Sequence, residues 1–265
     1  MEACAAAAAD AAVDLARRAV EETGFGNVAD KTTKNLLASV RVAEAIRGMR
    51  TVGILREDPE KGILEVASPV GVVAAVIPST NPTSTAIYKI LVSLKAQNAI
   101  VLSPHPTAIR AICETASVLS KAAVTAGAPD GLIGCMQETT NAGTRELMSH
   151  RQTGVILATG GPGLVRAAYS SGKPAYGVGP GNAPAYIERT ADVAKAARDI
   201  ITGKTFDNGV LCSSENSVVV DEPIAEQAKR ELQAQGAHFL SKADVDKVAR
   251  VLVTPQRLPN PSLVG

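Results

Sequence analysis

Residues 71–104, GVVAAVIPSTNPTSTAIYKILVSLKAQNAIVLSP, contain the pattern that decides the fold. The run GVVAAVIP (71–78) is short, apolar and rich in β-branched residues, which is typical of a buried strand. TSTAIYKILVSLKAQ (83–97) has apolar residues at helical spacing, and NAIVLSP (98–104) predicts a second strand. Because strand, helix and strand follow in order, we expect a right-handed βαβ unit whose two strands are parallel.

The same alternation continues along the chain and predicts an α/β fold. Helix and strand patterns follow in turn over four further segments: ICETASVLSKAAVTAG (112–127), LIGCMQ (132–137), NAGTRELMSHR (141–151) and TGVILATG (153–160). This order indicates a parallel sheet that is covered by helices on both faces. In such sheets ligands bind beyond the carboxyl ends of the strands. The loops in which we expect binding residues are IPSTNPTS (77–84), LSPHPT (102–107) and ATGGPG (158–163).

The segments before this core have other patterns. Residues 5–22 and 32–49 carry apolar side chains at helical spacing, so we predict an N-terminal helical region. Residues 51–70 alternate like two strands around the turn DPEKG, which predicts a protruding ribbon.

The segments after the core predict a second α/β unit. A strand and a helix over residues 184–204 precede FDNGVLCSSE (206–215), and a strand and two helices follow. We therefore predict two domains. Residues 1–204 would contain the N-terminal helices, the ribbon and the ligand-binding sheet, and residues 205–265 would begin the second domain.

The composition excludes several classes of protein. Of the 265 residues, 46% are hydrophobic and 20% are charged, as expected for a folded globular protein. Lys and Arg number 27 and Asp and Glu number 26, so no excess of charge predicts binding to nucleic acid or to an anionic membrane. The N-terminal stretch lacks the pattern of a signal peptide, and no uncharged apolar run approaches the length of a membrane span. We therefore expect a cytoplasmic protein.

The four cysteines are Cys4, Cys113, Cys135 and Cys212. They form no CxxC pair and have no histidine at ligand spacing, so the sequence predicts neither a metal site nor disulfides. Cys212 follows the turn-prone pair Asn208-Gly209 and could be a nucleophile, or a small buried apolar side chain. No local signature of a cysteine protease surrounds it. Without a histidine partner, backbone N–H groups or a cationic cofactor ring would have to favour its thiolate.

The three loops each have a functional and a purely structural interpretation. The backbone around Asn81 is restricted by Pro78 and Pro82, which would hold the amide in place, but Asn81 could also cap the helix that follows. His105 could contact a ligand or form hydrogen bonds within its own loop. The glycines of ATGGPG allow an anion to approach a helix N-terminus, but they also suit a tight turn. The spacing of these residues in the sequence does not decide between the functional and the structural interpretations.

Five motifs occur together and in the order that is seen in one family: IPSTNPTST (77–85), LSPHP (102–106), ILATGGPG (156–163), AYSSGKPAYGVGPGNAP (168–184) and KTFDNGVLCSSE (204–215). They closely resemble the CoA-acylating aldehyde dehydrogenases, which include stand-alone enzymes and one half of the bifunctional alcohol/aldehyde enzymes. The resemblance covers most of the chain. It implies a Rossmann-type cofactor domain, a catalytic domain with the cysteine, and a bridging ribbon that assembles a homo-oligomer.

The resemblance assigns roles to residues of this sequence. Cys212 would attack an aldehyde to give a thiohemiacetal, whose oxyanion is held by Asn81 and by the backbone N–H of Cys212. Hydride transfer to NAD would leave an acyl-enzyme thioester, and NADP stays open as the alternative cofactor. No metal ion is implied. The residues placed along the dinucleotide are Ser79, Thr80, Ser103, His105, Thr159, Gly160, Gly161 and Gly163.

The resemblance also predicts where the acyl group goes. Hydrolytic aldehyde dehydrogenases carry a Glu in a segment that resembles LELGGKSP, where it activates water. Aligning residues 181–184 with GKSP places Val178 at the position of that Glu, and GVGPGN (177–182) has no carboxylate. Because a thiol is intrinsically a better nucleophile than water, we expect transfer to coenzyme A. The predicted reaction is the reversible oxidation of a short-chain aldehyde to acyl-CoA.

Family members continue well beyond the Cys212 motif, so we expect this chain to be a fragment or a truncated member. Two alternatives follow: a catalytically incomplete member that binds cofactor or assists assembly, and a related reductase that uses an acyl phosphate. The motifs do not identify the aldehyde. They also do not show whether the protein resides in a bacterial microcompartment.

Overall fold

The computed structural model describes residues 1–265 apart from Pro261, and its contacts divide into two compact units, Met1–Pro180 and Gly181–Gly265. The first unit begins with helices, as predicted: α1 (Glu2–Asp10), α2 (Ala12–Thr23), α3 (Val28–Leu36) and α4 (Val42–Arg47). The predicted helix over 5–22 is interrupted at Ala11, and a π-helical turn over Leu37–Arg41 separates α3 from α4. The N-terminal helical region is confirmed.

A two-stranded antiparallel ribbon follows, formed by β1 (Gly53–Asp58) and β2 (Ile63–Ala67). The predicted ribbon is thereby confirmed. Its apolar side chains are largely exposed in the single chain, including Ile54, Leu64 and Val66.

The centre of the first unit is a five-stranded parallel sheet. Its elements alternate along the chain: β3 (Val72–Ile77), α5 (Pro82–Lys95), β4 (Ala99–Pro104), α6 (Ile109–Thr125), β5 (Ile133–Cys135), α7 (Asn141–Ser149), β6 (Thr153–Thr159), α8 (Pro162–Tyr169) and β7 (Ala175–Val178). The strand order is β5-β4-β3-β6-β7, and every neighbouring pair is parallel. From β3 the chain first adds β4 and β5 on one side, and it then returns to add β6 and β7 on the other side of β3. This is the Rossmann-type sheet that the sequence predicts.

Each face of the sheet is buried by helices. On one face α5 and α6 contribute Ile87, Leu91 and Ile112 to a large apolar core, and all three side chains are fully buried. On the other face Met148 of α7 and Ala168 of α8 pack in a smaller cluster with strand residues. Burial on both faces explains why the strands read as continuous apolar runs.

The second unit contains β8 (Ala183–Ile187), α9 (Val193–Thr205), β9 (Glu215–Val220), α10 (Ala225–Ala234) and α11 (Lys242–Leu252). Strands β8 and β9 are parallel neighbours, and α9 and α10 bury Ile200 and Leu232 in one apolar cluster with Ile187 of β8. Lys204, where we placed the domain boundary, lies within α9 of this unit. Among the described residues no helix combines the length and the apolar character that crossing a membrane requires.

Candidate functional site

The carboxyl edge of the first sheet brings three of the predicted loops together. Strands β4, β3 and β6 are adjacent and parallel, so the loops that follow them leave the same edge. The strand order reverses between β3 and β6, and sheets of this kind bind nucleotides in the crevice outside that point. The predicted residues at this edge are Ser79, Thr80 and Asn81 after β3, Ser103 and His105 at the end of β4, and Thr159, Gly160, Gly161 and Gly163 after β6.

The side chain of Asn81 is held by neighbours rather than used as a helix cap. Asn81 precedes α5, but its side chain makes no capping hydrogen bond. Its Oδ1 accepts from Nζ of Lys34 at 2.5 Å, and its Nδ2 donates to Oγ1 of Thr80 at 3.1 Å. The capping interpretation is therefore wrong, and the amide has a fixed orientation at the edge of the sheet.

Buried lysines that lie outside the predicted loops hold this edge of the sheet. Nζ of Lys89, on α5, donates to the carbonyl oxygens of Val76 at 2.9 Å and Leu157 at 2.8 Å. These carbonyls lie near the ends of β3 and β6, so Lys89 joins the two sides of the crevice. Lys31 of α3 donates to the carbonyl oxygen of Thr80 at 3.0 Å. A lysine within an apolar helical face, as in TAIYKIL (85–91), is the signal that could have revealed Lys89.

The loop after β6 offers groups that suit an anionic or hydroxyl-bearing ligand. Gly161 precedes α8 in an extended conformation without a side-chain cap, so the first N–H groups of the helix stay available to an anion. Oγ1 of Thr159 is buried and has no hydrogen-bond partner among the described residues. The N–H of Gly160 donates to the carbonyl oxygen of Val178 at 3.0 Å, which ties this loop to β7.

The two residues at the end of β4 form hydrogen bonds with their own surroundings. Ser103 is fully buried, and its Oγ lies 2.8 Å from Oγ1 of Thr144 on α7. The Nδ1 atom of His105 lies 2.9 Å from Oγ1 of Thr107. Burial lowers the pKa of His105, so its ring is neutral at pH 7. Contact of either residue with a cofactor stays a prediction.

Cys212 lies in the second unit, in the loop between α9 and β9. Of the four cysteines, all within the described part of the chain, Cys212 is the one that is exposed. Burial raises the pKa of Cys4, and burial together with the neighbouring thiol of Cys113 raises the pKa of Cys135. The exposed thiol is therefore the one that is suited to react, and the interpretation of Cys212 as a buried apolar side chain is wrong.

The backbone before Cys212 is unusual. Asp207 and Asn208 have φ of 51° and 54°, and Gly209 continues with φ of 74°. Two consecutive non-glycine residues in the left-handed region are uncommon, and such strain is often found at functional sites. Among the described residues, the N–H of Cys212 donates to no acceptor, so it stays available to a ligand.

Gly181 is a further residue of this site that sequence reasoning missed. A Cβ atom on Gly181 would lie 2.0 Å from the carbonyl oxygen of Cys212, well inside contact distance. The backbone at Cys212 can therefore adopt its position only because residue 181 has no side chain. This close approach gives a physical reason for glycine in the segment GPGN (179–182).

The model of the aldehyde dehydrogenase family matches residues 1–252. The chain belongs to the aldehyde dehydrogenase family. It is 45% identical over 263 residues to a bifunctional aldehyde-alcohol dehydrogenase of Escherichia coli, covering 99% of this chain and 29% of that protein. An acetylating aldehyde dehydrogenase from Geobacillus thermoglucosidasius has 55% identity and a TM-score of 0.92, over 97% of this chain and 57% of that one.

A third relative of this chain is a propionaldehyde dehydrogenase of Rhodopseudomonas palustris, whose structure contains CoA and an acylated cysteine. It has 30% identity and a TM-score of 0.82, and the alignment covers 98% of this chain and 61% of that one. These relatives confirm the resemblance to CoA-acylating enzymes that the five motifs indicate. The chain spans between 29% and 61% of the length of these three proteins.

Lys89 gives this chain a predicted dependence of stability on pH. Burial lowers the pKa of Lys89 from 10.5 to about 7. Between these values the unfolded chain binds more protons than the folded chain, so the free energy of unfolding rises with pH. From pH 7 to pH 9 we expect a gain of about 2 kcal/mol that the Lys89→Met variant lacks.

Urea unfolding of both proteins at several pH values measures this difference. Lys121→Met is the control, because Lys121 is exposed on the neighbouring helix α6 and its replacement should leave the pH profile intact. Parallel profiles for the wild-type protein and Lys89→Met would contradict the prediction.

Proposed function

We propose that this chain carries the nucleophile and the cofactor loops of a CoA-acylating, NAD-dependent aldehyde dehydrogenase that interconverts a short-chain aldehyde and acyl-CoA. The observation that carries the proposal is the exposed thiol of Cys212, placed after a strained loop in a member of this family. The acylated cysteine in the Rhodopseudomonas palustris relative supports the same chemistry. In this proposal Gly181–Gly265 is the beginning of the catalytic domain.

The thiolate of Cys212 adds to the aldehyde carbonyl, and its sulfur becomes bonded to the carbon. The resulting oxyanion needs hydrogen-bond donors. The family resemblance assigns this role to the N–H of Cys212 and to Nδ2 of Asn81. A bound nicotinamide cofactor would supply the hydride acceptor that this oxidation requires. Cys212 then holds the acyl group as a thioester until a thiol removes it. Run backwards, the same residues accept an acyl group from acyl-CoA.

Two groups after β6 support binding of a dinucleotide at the carboxyl edge of the first sheet. The uncapped N-terminus of α8 suits the pyrophosphate, and the unpartnered hydroxyl of Thr159 suits a polar group of the ligand. A 2′-phosphate would need a cationic partner such as Arg110 at the start of α6, and Arg110 forms an ion pair with Glu22 at 3.5 Å. We therefore propose NAD as the cofactor and NADP as the alternative to be compared with it.

The acyl group goes to coenzyme A in this proposal. Val178, which stands where hydrolytic relatives have their Glu, is an exposed apolar side chain at the end of β7. It cannot act as the general base that water needs, and a general base typically contributes about 10²–10⁴-fold. A thiol needs less assistance than water because it is the better nucleophile.

Product analysis tests the proposed function. The full chain is incubated with acetaldehyde and NAD, with and without coenzyme A, and acetyl-CoA, acetate and NADH are measured. We expect NADH and acetyl-CoA in equal amounts, and acetate at least about tenfold more slowly when coenzyme A is omitted. Equal rates of acetate formation without coenzyme A would contradict the acylating function. NAD binding without any turnover would support the alternative of a cofactor-binding or assembly module.

We further propose that the protein forms a homo-oligomer in the cytoplasm or in a bacterial microcompartment. The ribbon of β1 and β2 supports assembly, because its exposed Ile54, Leu64 and Val66 offer apolar surface to a second copy. The size of the assembly in solution, measured by light scattering, tests this part of the proposal.

A further inference from the structure

Helix α3 places two buried lysines on the same loop. Lys31 and Lys34 are 2% and 6% exposed, and their three-residue spacing puts them on one face of the helix. Lys31 donates to the carbonyl oxygen of Thr80 at 3.0 Å, and Lys34 donates to Oδ1 of Asn81 at 2.5 Å. Two adjacent residues of the loop after β3 are thus each held by a buried ammonium group.

A third polar side chain of the helix also attaches it to its neighbours. Nδ2 of Asn35, the next residue of α3, donates to the carbonyl oxygen of Ala12 at 2.9 Å, and Oδ1 of Asn35 accepts from Oγ1 of Thr83 at 2.8 Å. Asn35 is fully buried. Asn35 therefore provides an attachment of α3 that substitution of either lysine leaves in place.

The ammonium group of Lys34 decides which way the Asn81 amide points. An ammonium group has donors and no acceptor, so it must face Oδ1 and not Nδ2. Nδ2 then carries the two N–H groups of the amide, of which Oγ1 of Thr80 accepts one. The positive charge of Lys34 beside Oδ1 also polarises the amide, which makes the remaining N–H of Nδ2 a stronger donor.

We propose that Lys34 is a positioning residue for Asn81: it fixes and polarises the amide so that Nδ2 donates to the oxyanion that forms on the substrate. This inference rests on the proposed function, in which Asn81 stabilises that oxyanion. Lys31 serves as the comparison, because it donates to the backbone carbonyl oxygen of Thr80.

A double-mutant cycle tests the proposal through turnover. In the full chain, Lys34→Met is expected to lower kcat for acetyl-CoA reduction about tenfold with little change in KM for NADH. Combining Lys34→Met with Asn81→Ala should cost no more than Asn81→Ala alone, because Lys34 acts through Asn81. Additive losses would overturn the proposal.

Two further variants separate positioning from a general structural role. Lys34→Arg keeps a cationic donor and should restore part of the kcat that Lys34→Met loses. Lys31→Met removes an equally buried ammonium group from the same face of α3, and its effect should add to that of Asn81→Ala. The proposed role therefore predicts that the loss of kcat in Lys31→Met adds to that of Asn81→Ala, whereas the loss in Lys34→Met does not.

A readout without turnover distinguishes failure of this inference from failure of the proposed function. The side-chain amide of Asn81 gives a pair of ¹⁵N-correlated NMR signals, assigned as the pair that Asn81→Ala removes. Lys34→Met should shift both signals in the absence of any substrate, and Lys31→Met should shift them far less. If the chain turns over no substrate but the signals shift, the proposed function fails and the positioning by Lys34 stands. Unshifted signals in Lys34→Met would overturn the inference, whatever the activity.

Discussion

Replacing Cys212 with alanine is expected to abolish the oxidation of NADH by acetyl-CoA. Without the sulfur no thioester can form, so the acyl group has no carrier between coenzyme A and the hydride donor. No other thiol should substitute, because Cys4 is buried and Cys113 and Cys135 are partly buried on another unit of the chain. We expect activity to fall below detection, a loss of more than about 10³-fold.

The loss can be measured at two steps. Absorbance of the nicotinamide follows turnover, and intact-protein mass spectrometry follows acylation after incubation with acetyl-CoA alone. The wild-type chain should gain one acetyl group, and Cys212→Ala should gain none. Cys113→Ala is the matched control and should behave like the wild-type protein. Acetylation that persists in Cys212→Ala would show that another group is the nucleophile.

The sheet of the first unit could be predicted because its physical causes are local. GVVAAVIP and NAIVLSP are apolar on both faces, as strands buried between two layers of helices must be. Their alternation with helices fixes a parallel arrangement, and a parallel arrangement places the loops at one edge. Strand β7 (Ala175–Val178) was missed because it is four residues long, contains Gly177 and has alternating exposed side chains at the end of the sheet.

The contacts that complete the site could not be predicted, because they join distant parts of the chain. Lys34 and Asn81 are 47 residues apart, and Nζ of Lys89 reaches a carbonyl 68 residues away. Lys34 has an ordinary sequence context for a helix. Lys89 stands out within an apolar helical face, but only the packed structure shows its partners. Cys212 was identified by resemblance, whereas its exposure became visible only with the fold.

Gly181→Ala is expected to lower kcat/KM for acetyl-CoA reduction by about 10²-fold. The added methyl group would lie 2.0 Å from the carbonyl oxygen of Cys212, so the backbone must move by about 1 Å to relieve the contact. Displacing a reacting group by about that distance typically costs about 10²-fold in rate. The same variant should also change the rate at which iodoacetamide alkylates Cys212.

The position of the contact distinguishes misplacement of Cys212 from unfolding. Gly181 and Cys212 lie just before β8 and β9, whose pairing begins with Ala183 opposite Glu215. The displacement should therefore be confined to the two loops, and the midpoint of thermal unfolding should change little. Gly179→Ala is the matched control, because its Cβ atom would meet one side-chain atom at an ordinary 4.0 Å. If Gly181→Ala and Gly179→Ala retained equal activity, the close approach would have no role in placing the nucleophile.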